Sequence, residues 1–201
     1  MTAPALAELF EVSPRTIRRD LEKSLRAMET DYIDVYYTHW QCKTYGLVPV
    51  AETMGELLKM KEEGKIRAIG VCNFLPEHLD RVHAETGEYP SVNQIELHPF
   101  CQQQALRQVM AAYHIQPMAW APFAEGQGNL FHHPVLSAIG QAHGKTPAQV
   151  VLRWLRQEGI VAIPKSVHPQ RIWENWDIED FTLSPGELTQ ILSLIHISEP
   201  T

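Results

Sequence analysis

Apolar positions along this chain switch repeatedly between helical and strand-like spacing. Ile17, Leu21, Leu25 and Met28 recur at steps of three and four after Ser13-Pro14, which predicts a capped helix with one apolar face. Residues 32–40 (YIDVYYTHW) are rich in β-formers and predict a strand. A helix over 50–63 follows, with Met54, Leu57 and Leu58 on one side and Gly64 as its stop. The same alternation continues with a strand at 66–74, a helix at 76–84, a strand at 91–97, a helix at 102–113 and a strand at 117–123. After a loop containing Gly126 and Gly128 come a short helix at 134–142 and a second one capped by Thr146-Pro147, whose inner face is Val150, Val151, Trp154 and Leu155. A last strand at 160–163, a helix from 169 to 176 and a helix opened by the capping box Ser184-Pro185-Gly186-Glu187 complete the order.

Strands separated by helices in units of roughly 25 to 40 residues are βα units, and they imply a parallel sheet covered by helices. Such a sheet either stays open and doubly wound or closes into a (β/α)8 barrel. No G-x-G-x-x-G follows any of the strands, which counts against the open dinucleotide-binding form. In a barrel, functional groups sit at the C-terminal strand ends. Here those positions hold His39, Asn73, His98 after mid-strand Gln94, Trp120 and Lys165.

The chain has 201 residues, enough to bury a sizeable core, and one domain over 1–193 is the expectation. Its net charge of −7 gives no global attraction to nucleic acid or anionic membranes. Cys42, Cys72 and Cys101 are odd in number and scattered, so neither a disulfide framework nor a zinc site is expected, and a reducing, cytoplasmic setting is the default. No stretch reaches membrane-spanning length, and no basic-then-apolar leader opens the chain.

The segment 163–175 (IPKSVHPQRIWEN) carries the most chemistry. Lys165 and Arg171 supply two cations and Ser166 a hydroxyl, all around a predicted helix start whose N–H groups point outward. That combination suits a phosphate. Taken singly, Lys165 and Arg171 could be solvated surface charges, Asn73 a turn residue and Trp120 core; the order and spacing of the whole set favour a site.

Residues 24–40 (SLRAMETDYIDVYYTHW), 57–74 (LLKMKEEGKIRAIGVCNF), 91–99 (SVNQIELHP), 119–126 (AWAPFAEG) and 163–175 together resemble the aldo-keto reductase family, in its order and at its spacings. The resemblance covers nearly the whole chain, from about residue 12 to about residue 192. It implies strands 4 to 8 of a (β/α)8 barrel, an incomplete one, and the reduction of a small aldehyde or ketone with NADP(H). By the same resemblance His39 would orient the substrate carbonyl. Asn73 and Gln94 would hold the nicotinamide carboxamide, a task suited to side chains that both donate and accept. Trp120 would stack on the nicotinamide ring. Ala121, Pro122, Phe123, Glu125 and Gly126 would lie along the pyrophosphate. Lys165, Ser166 and Arg171 would clamp the 2′-phosphate, and Glu174 and Asn175 would contact the adenine.

The family's proton donor is a tyrosine tuned by a lysine and an aspartate, on units ahead of the first strand seen here. No residue of this chain matches them by position, so the expectation is a truncated reductase, inactive by itself. Cys72 stands where many members carry serine. The tail 194–201 (LIHISEPT) does not resemble the family and is expected to be non-native. Two other readings compete. Residues 5–25 (ALAELFEVSPRTIRRDLEKSL) resemble a helix-turn-helix with Arg15, Arg18 and Arg19 towards DNA, although neither a supporting helix nor a wing accompanies them. A nucleotide-binding, non-catalytic member of the family is the other.

Overall fold

The computed structural model describes residues 14–38 and 50–197. It divides the chain into two compact units, residues 1–93 with 112–115, and residues 94–111 with 116–201.

In the first unit, α1 (Pro14–Met28) precedes β1 (Ile33–Thr38), α2 (Val50–Glu62), β2 (Ile66–Cys72), α3 (Pro76–Thr86) and the start of β3 (Val92–Glu96). β1 and β2 pair in parallel, with Ile33 opposite Ile66 and Tyr37 opposite Gly70. Ile17 and Leu21 of α1, Met54, Leu57 and Met60 of α2, and Leu79 and Val82 of α3 are buried, as helical spacing requires. Met28 departs from the pattern: it is 54% exposed, because α1 ends there and Glu29 turns left-handed at φ 51°. β2 and β3 are shorter than their composition suggests. β2 stops at Cys72 because Asn73 takes φ 56°, outside the strand region. Gly87 at φ 79° ends α3, its N–H donating to the carbonyl of His83.

In the second unit, the rest of β3 leads to α4 (Gln104–Ala112, its last residue in the first unit), β4 (Gln116–Trp120), an irregular segment (Ala124–His132), α5 (Pro134–His143), α6 (Pro147–Gln157), β5 (Val161–Ala162), α7 (Pro169–Trp176) and α8 (Pro185–Leu192). β4 and β5 are also parallel, so the chain has the α/β architecture its alternation predicts. The core of this unit is α6. Val150, Val151, Trp154 and Leu155 are all fully buried, the four positions its pattern singles out. A capping box starts the helix: the Thr146 hydroxyl accepts from the Gln149 N–H, and Oε1 of Gln149 accepts from the Thr146 N–H at 3.0 Å. β4 is cut short at Trp120 by Ala121 at φ 46°, and α4 starts only at Gln104 because Gln103 sits at φ 50°.

Candidate functional site

The clearest chemistry in the second unit follows β5. The chain passes through Pro164, Lys165 and Ser166 before α7 begins. The Ser166 Oγ accepts from the His168 N–H at 3.1 Å, which folds the approach to the helix. Pro169 opens α7 and His168 gives it no side-chain cap, its carbonyl accepting only from the Ile172 N–H at 3.0 Å, so the Gln170 and Arg171 N–H groups have no cap from that residue. Lys165 and Arg171 are exposed, and among the described residues neither takes part in an ion pair. Lys165, Ser166, Ile172, Trp173, Asn175 and Trp176 line an open groove of about 1370 Å³. Arg171 and Glu174 do not line it, and Glu174 instead accepts from Gln170 Nε2 at 3.1 Å along the helix. The groove is amphipathic. Ile172, Trp173 and Trp176 are all more than half exposed, Trp176 at 78%, beside the lysine and the serine.

A second feature of this unit is the turn after β4. Ala121, Ala124, Glu125, Gly126, Gly128 and Asn129 all have positive φ. The Ala124 N–H donates to Ala121 at 2.8 Å and the Gly126 N–H to Phe123 at 2.9 Å, so two tight turns follow one another. The left-handed residues come in runs, Ala124 to Gly126 and then Gly128 and Asn129, separated by Gln127 at φ −73°. Pro122 and Ala124 are buried, while Glu125 and Gly126 are exposed. Gly128 has a steric role as well, because a Cβ there would lie 2.6 Å from Cε2 of Phe100. Trp120, at the end of β4, accepts from the Leu97 N–H at 3.3 Å, and Nε2 of Gln94 approaches the Met118 sulfur at 3.4 Å.

His98 is buried at the end of β3. Its Nδ1 accepts from the Phe100 N–H at 3.2 Å, which assigns the proton to Nε2, 3.2 Å from Glu96 Oε1. Burial lowers its pKa against the opposing pull of Glu96, so it is a neutral, structural histidine at neutral pH.

In the first unit, Asn73 sits at the end of β2, half-buried, and His39 lies outside the described residues. Burial pushes the neighbouring Cys72 thiol up, which keeps it protonated and unreactive. Tyr37 on β1 lies flat against Gly70 of β2: an added Cβ at Gly70 would overlap its Cδ1 and Cε1 and lie 2.9 Å from Cζ. The pattern of the sequence did not single out Asn93. It is fully buried, and it holds both backbone groups of Phe74, the residue after Asn73. An amide on an otherwise apolar buried strand face was the one available signal.

The helix-turn-helix reading loses a central residue. Arg18 gives Nε and Nη2 to Glu56 at 2.9 and 2.7 Å, and Nη1 and Nη2 to Glu63 at 2.8 and 2.9 Å. Its guanidinium is committed to Glu56 of α2 and to Glu63 just after it, and is not turned to a phosphate. Glu63 answers: hydrogen bonds first from Arg18 and then from Lys65 hold its carboxyl down at about 2. Residues 5–13 of that reading lie outside the described residues, as does the Arg15 side chain. Among the described residues no three His, Cys, Asp or Glu side chains group as a metal site, and no helix is long and apolar enough to cross a membrane.

Comparison with known proteins places these features in context. The model of the "Aldo/keto reductase family" matches residues 8–196. An aldo-keto reductase of Mycolicibacterium smegmatis is 46% identical over 173 residues, which are 86% of this chain and 62% of that protein. Methylglyoxal reductase DkgA of Escherichia coli K12 is 43% identical over 177 residues, 88% of this chain and 64% of its own. The chain therefore spans less than two thirds of the length of these relatives. Among solved structures, an aldo/keto reductase from Brucella melitensis superposes with a TM-score of 0.84 at 39% identity, over 92% of this chain and 69% of that one. A variant of Gox0644 in complex with NADPH does so with a TM-score of 0.86 at 38% identity, over 92% and 66%.

Proposed function

This chain belongs to the aldo/keto reductase family, and on that premise we propose that it carries the cofactor-binding residues of an NADPH-dependent oxidoreductase that reduces a small aldehyde or ketone. The observation that carries the reading is the approach to α7. Lys165 and Ser166 line the groove ahead of a helix N-terminus that its own flanking residue leaves uncapped, with Arg171 in the first turn. Two cations, a hydroxyl and the positive end of a helix suit a doubly charged phosphate on a ribose, and are wasted on a ribose hydroxyl. NADPH has that phosphate and NADH does not.

The remaining roles follow the resemblance. Asn175 and Glu174 are assigned to the adenine, and the turn formed by Ala121, Pro122, Phe123, Glu125 and Gly126, left-handed at Ala121, Glu125 and Gly126, to the pyrophosphate. Trp120 is assigned to the face of the nicotinamide, and Gln94 and Asn73 to its carboxamide. His39 is assigned to orienting the substrate carbonyl. When bound, NADPH would supply the hydride; the chain's own part is to bind and orient. The substrate class is a small carbonyl compound, and methylglyoxal, on which the E. coli relative acts by its name, is the first to test.

No residue here matches the family's tyrosine proton donor, so we propose that the 201 residues alone bind NADPH without appreciable turnover. The experiment is a titration with NADPH followed by an assay of its oxidation with methylglyoxal. Saturable binding and background oxidation are expected. Turnover above background would overturn the inactivity, and absence of binding would overturn the cofactor assignment.

A further inference from the structure

The end of β2 is held by an amide that substitutes for strand pairing. Asn93, the second residue of β3, is 0% exposed. Its Oδ1 accepts from the Phe74 N–H at 3.2 Å, and its Nδ2 donates to the Phe74 carbonyl at 2.8 Å. One side chain thus takes both polar backbone groups of Phe74, at a place where water does not reach them. Phe74 is itself buried. On its other side the chain is fixed again: the Leu75 N–H donates to His78 Nδ1 at 3.1 Å, and the Leu75 carbonyl accepts from His78 and Leu79 as α3 begins.

Asn73 lies between β2 and this clamp, at φ 56°. Asparagine tolerates a left-handed backbone better than most residues with a Cβ, so φ 56° suits Asn73, while its neighbours decide whether that conformation is held. The β2 ladder fixes one side of Asn73 and the clamped Phe74 fixes the other. Without the amide of Asn93, the Phe74 N–H and C=O would be buried and unpaired. The 73–75 segment would then rotate to find other partners. We propose that Asn93 is a positioning residue: its buried amide holds Phe74, and thereby the left-handed backbone that aims Asn73 at the nicotinamide carboxamide. This inference rests on the role given to Asn73 above.

The test compares two ligands, NADPH and 2′-phospho-ADP-ribose, which is the same molecule without its nicotinamide. Affinities are measured on the full chain for the wild type, Asn73→Ala, Asn93→Leu and Asn93→Asp. Asn93→Leu keeps the volume and removes both hydrogen bonds. Asn93→Asp keeps the acceptor for the Phe74 N–H and loses the donor to its carbonyl. The readout is the ratio of the two affinities, which a general loss of folding does not move selectively. The expected result is a wild-type preference for NADPH that Asn93→Leu lowers by about fivefold to tenfold, the worth of one or two neutral hydrogen bonds. Asn73→Ala should lower it equally, Asn93→Asp part of the way, and binding of 2′-phospho-ADP-ribose should hold. If Asn73→Ala abolishes the preference while both Asn93 variants keep it, the positioning role is overturned and the role of Asn73 stands. Parallel loss of both ligands in both Asn93 variants would make Asn93 a support of the fold only, and overturn the proposal. A wild type without preference would remove the role of Asn73 and the positioning role with it.

Discussion

Replacing Gly70 by alanine should destabilise the protein through one ring. Gly70 sits mid-strand in β2 without a positive φ, so its backbone accepts alanine. The obstacle is Tyr37, directly opposite in the parallel register, whose ring occupies the place a Cβ would take and whose Cζ would lie 2.9 Å from it. Tyr37 cannot retreat freely, because β1 is tied to β2 along its length. Overpacking of this kind costs about 1–3 kcal/mol, and the smaller entropy of the unfolded alanine chain returns about 0.4–1 kcal/mol. The net expectation is a loss of about 1–2 kcal/mol, or about 2–8 °C in Tm for a chain of this size. Urea unfolding followed by circular dichroism measures it. The decisive part is the double-mutant cycle. In a Tyr37→Ala background the same Gly70→Ala change should cost nothing or stabilise slightly. A cost that persists in that background, or a Gly70→Ala protein more stable than wild type, would refute the packing argument.

Other predictions follow from single groups. Arg171→Ala should weaken NADPH by about tenfold and leave NADH almost unchanged, the lower end for an exposed charge-assisted contact; equal losses for both would remove Arg171 from the phosphate. Thr146→Ala should cost about 1 kcal/mol by unsealing the capping box of α6, measured by urea unfolding, and no loss would mean that the cap is idle. Glu63 is depressed in the folded state, from 4.5 to about 2, chiefly by its hydrogen bond from Arg18. Its contribution is therefore complete above pH 4.5 and is lost as the pH falls towards about 2. Glu63→Gln should flatten that acid limb of stability, and an unchanged limb would contradict the pairing.

The βα alternation was readable because its signals are local. Helical and strand spacings, Pro at helix starts, Gly64 past a helix end and the caps at Thr146 and Ser184 all act within a few residues. Strand ends were less readable. The run IRAIGVCNF looks like one strand to its end, yet Asn73 turns left-handed and the next residue, Phe74, is claimed by Asn93, 19 positions later. Arg18 shows the same limit: beside Arg15 and Arg19 it looks like a phosphate contact, while Glu56, 38 positions away, already holds it. The phosphate site proposed at Lys165, Ser166 and Arg171 rests on local signals, since a helix start, two cations and a hydroxyl fall within seven residues. That Glu174 spends its carboxylate on Gln170 was not, since it depends on rotamers along α7.

On the reading proposed above, Lys165 and Arg171 recognise the phosphate that NADP(H) has and NAD(H) lacks. This recognition is tested most directly by titrating the 201-residue protein with NADPH and with NADH at low and at high salt. NADPH should bind at least about tenfold tighter at low salt, with the gap closing as salt screens the exposed Lys165 and Arg171. Equal affinity for the two cofactors, or a preference untouched by salt, would contradict it.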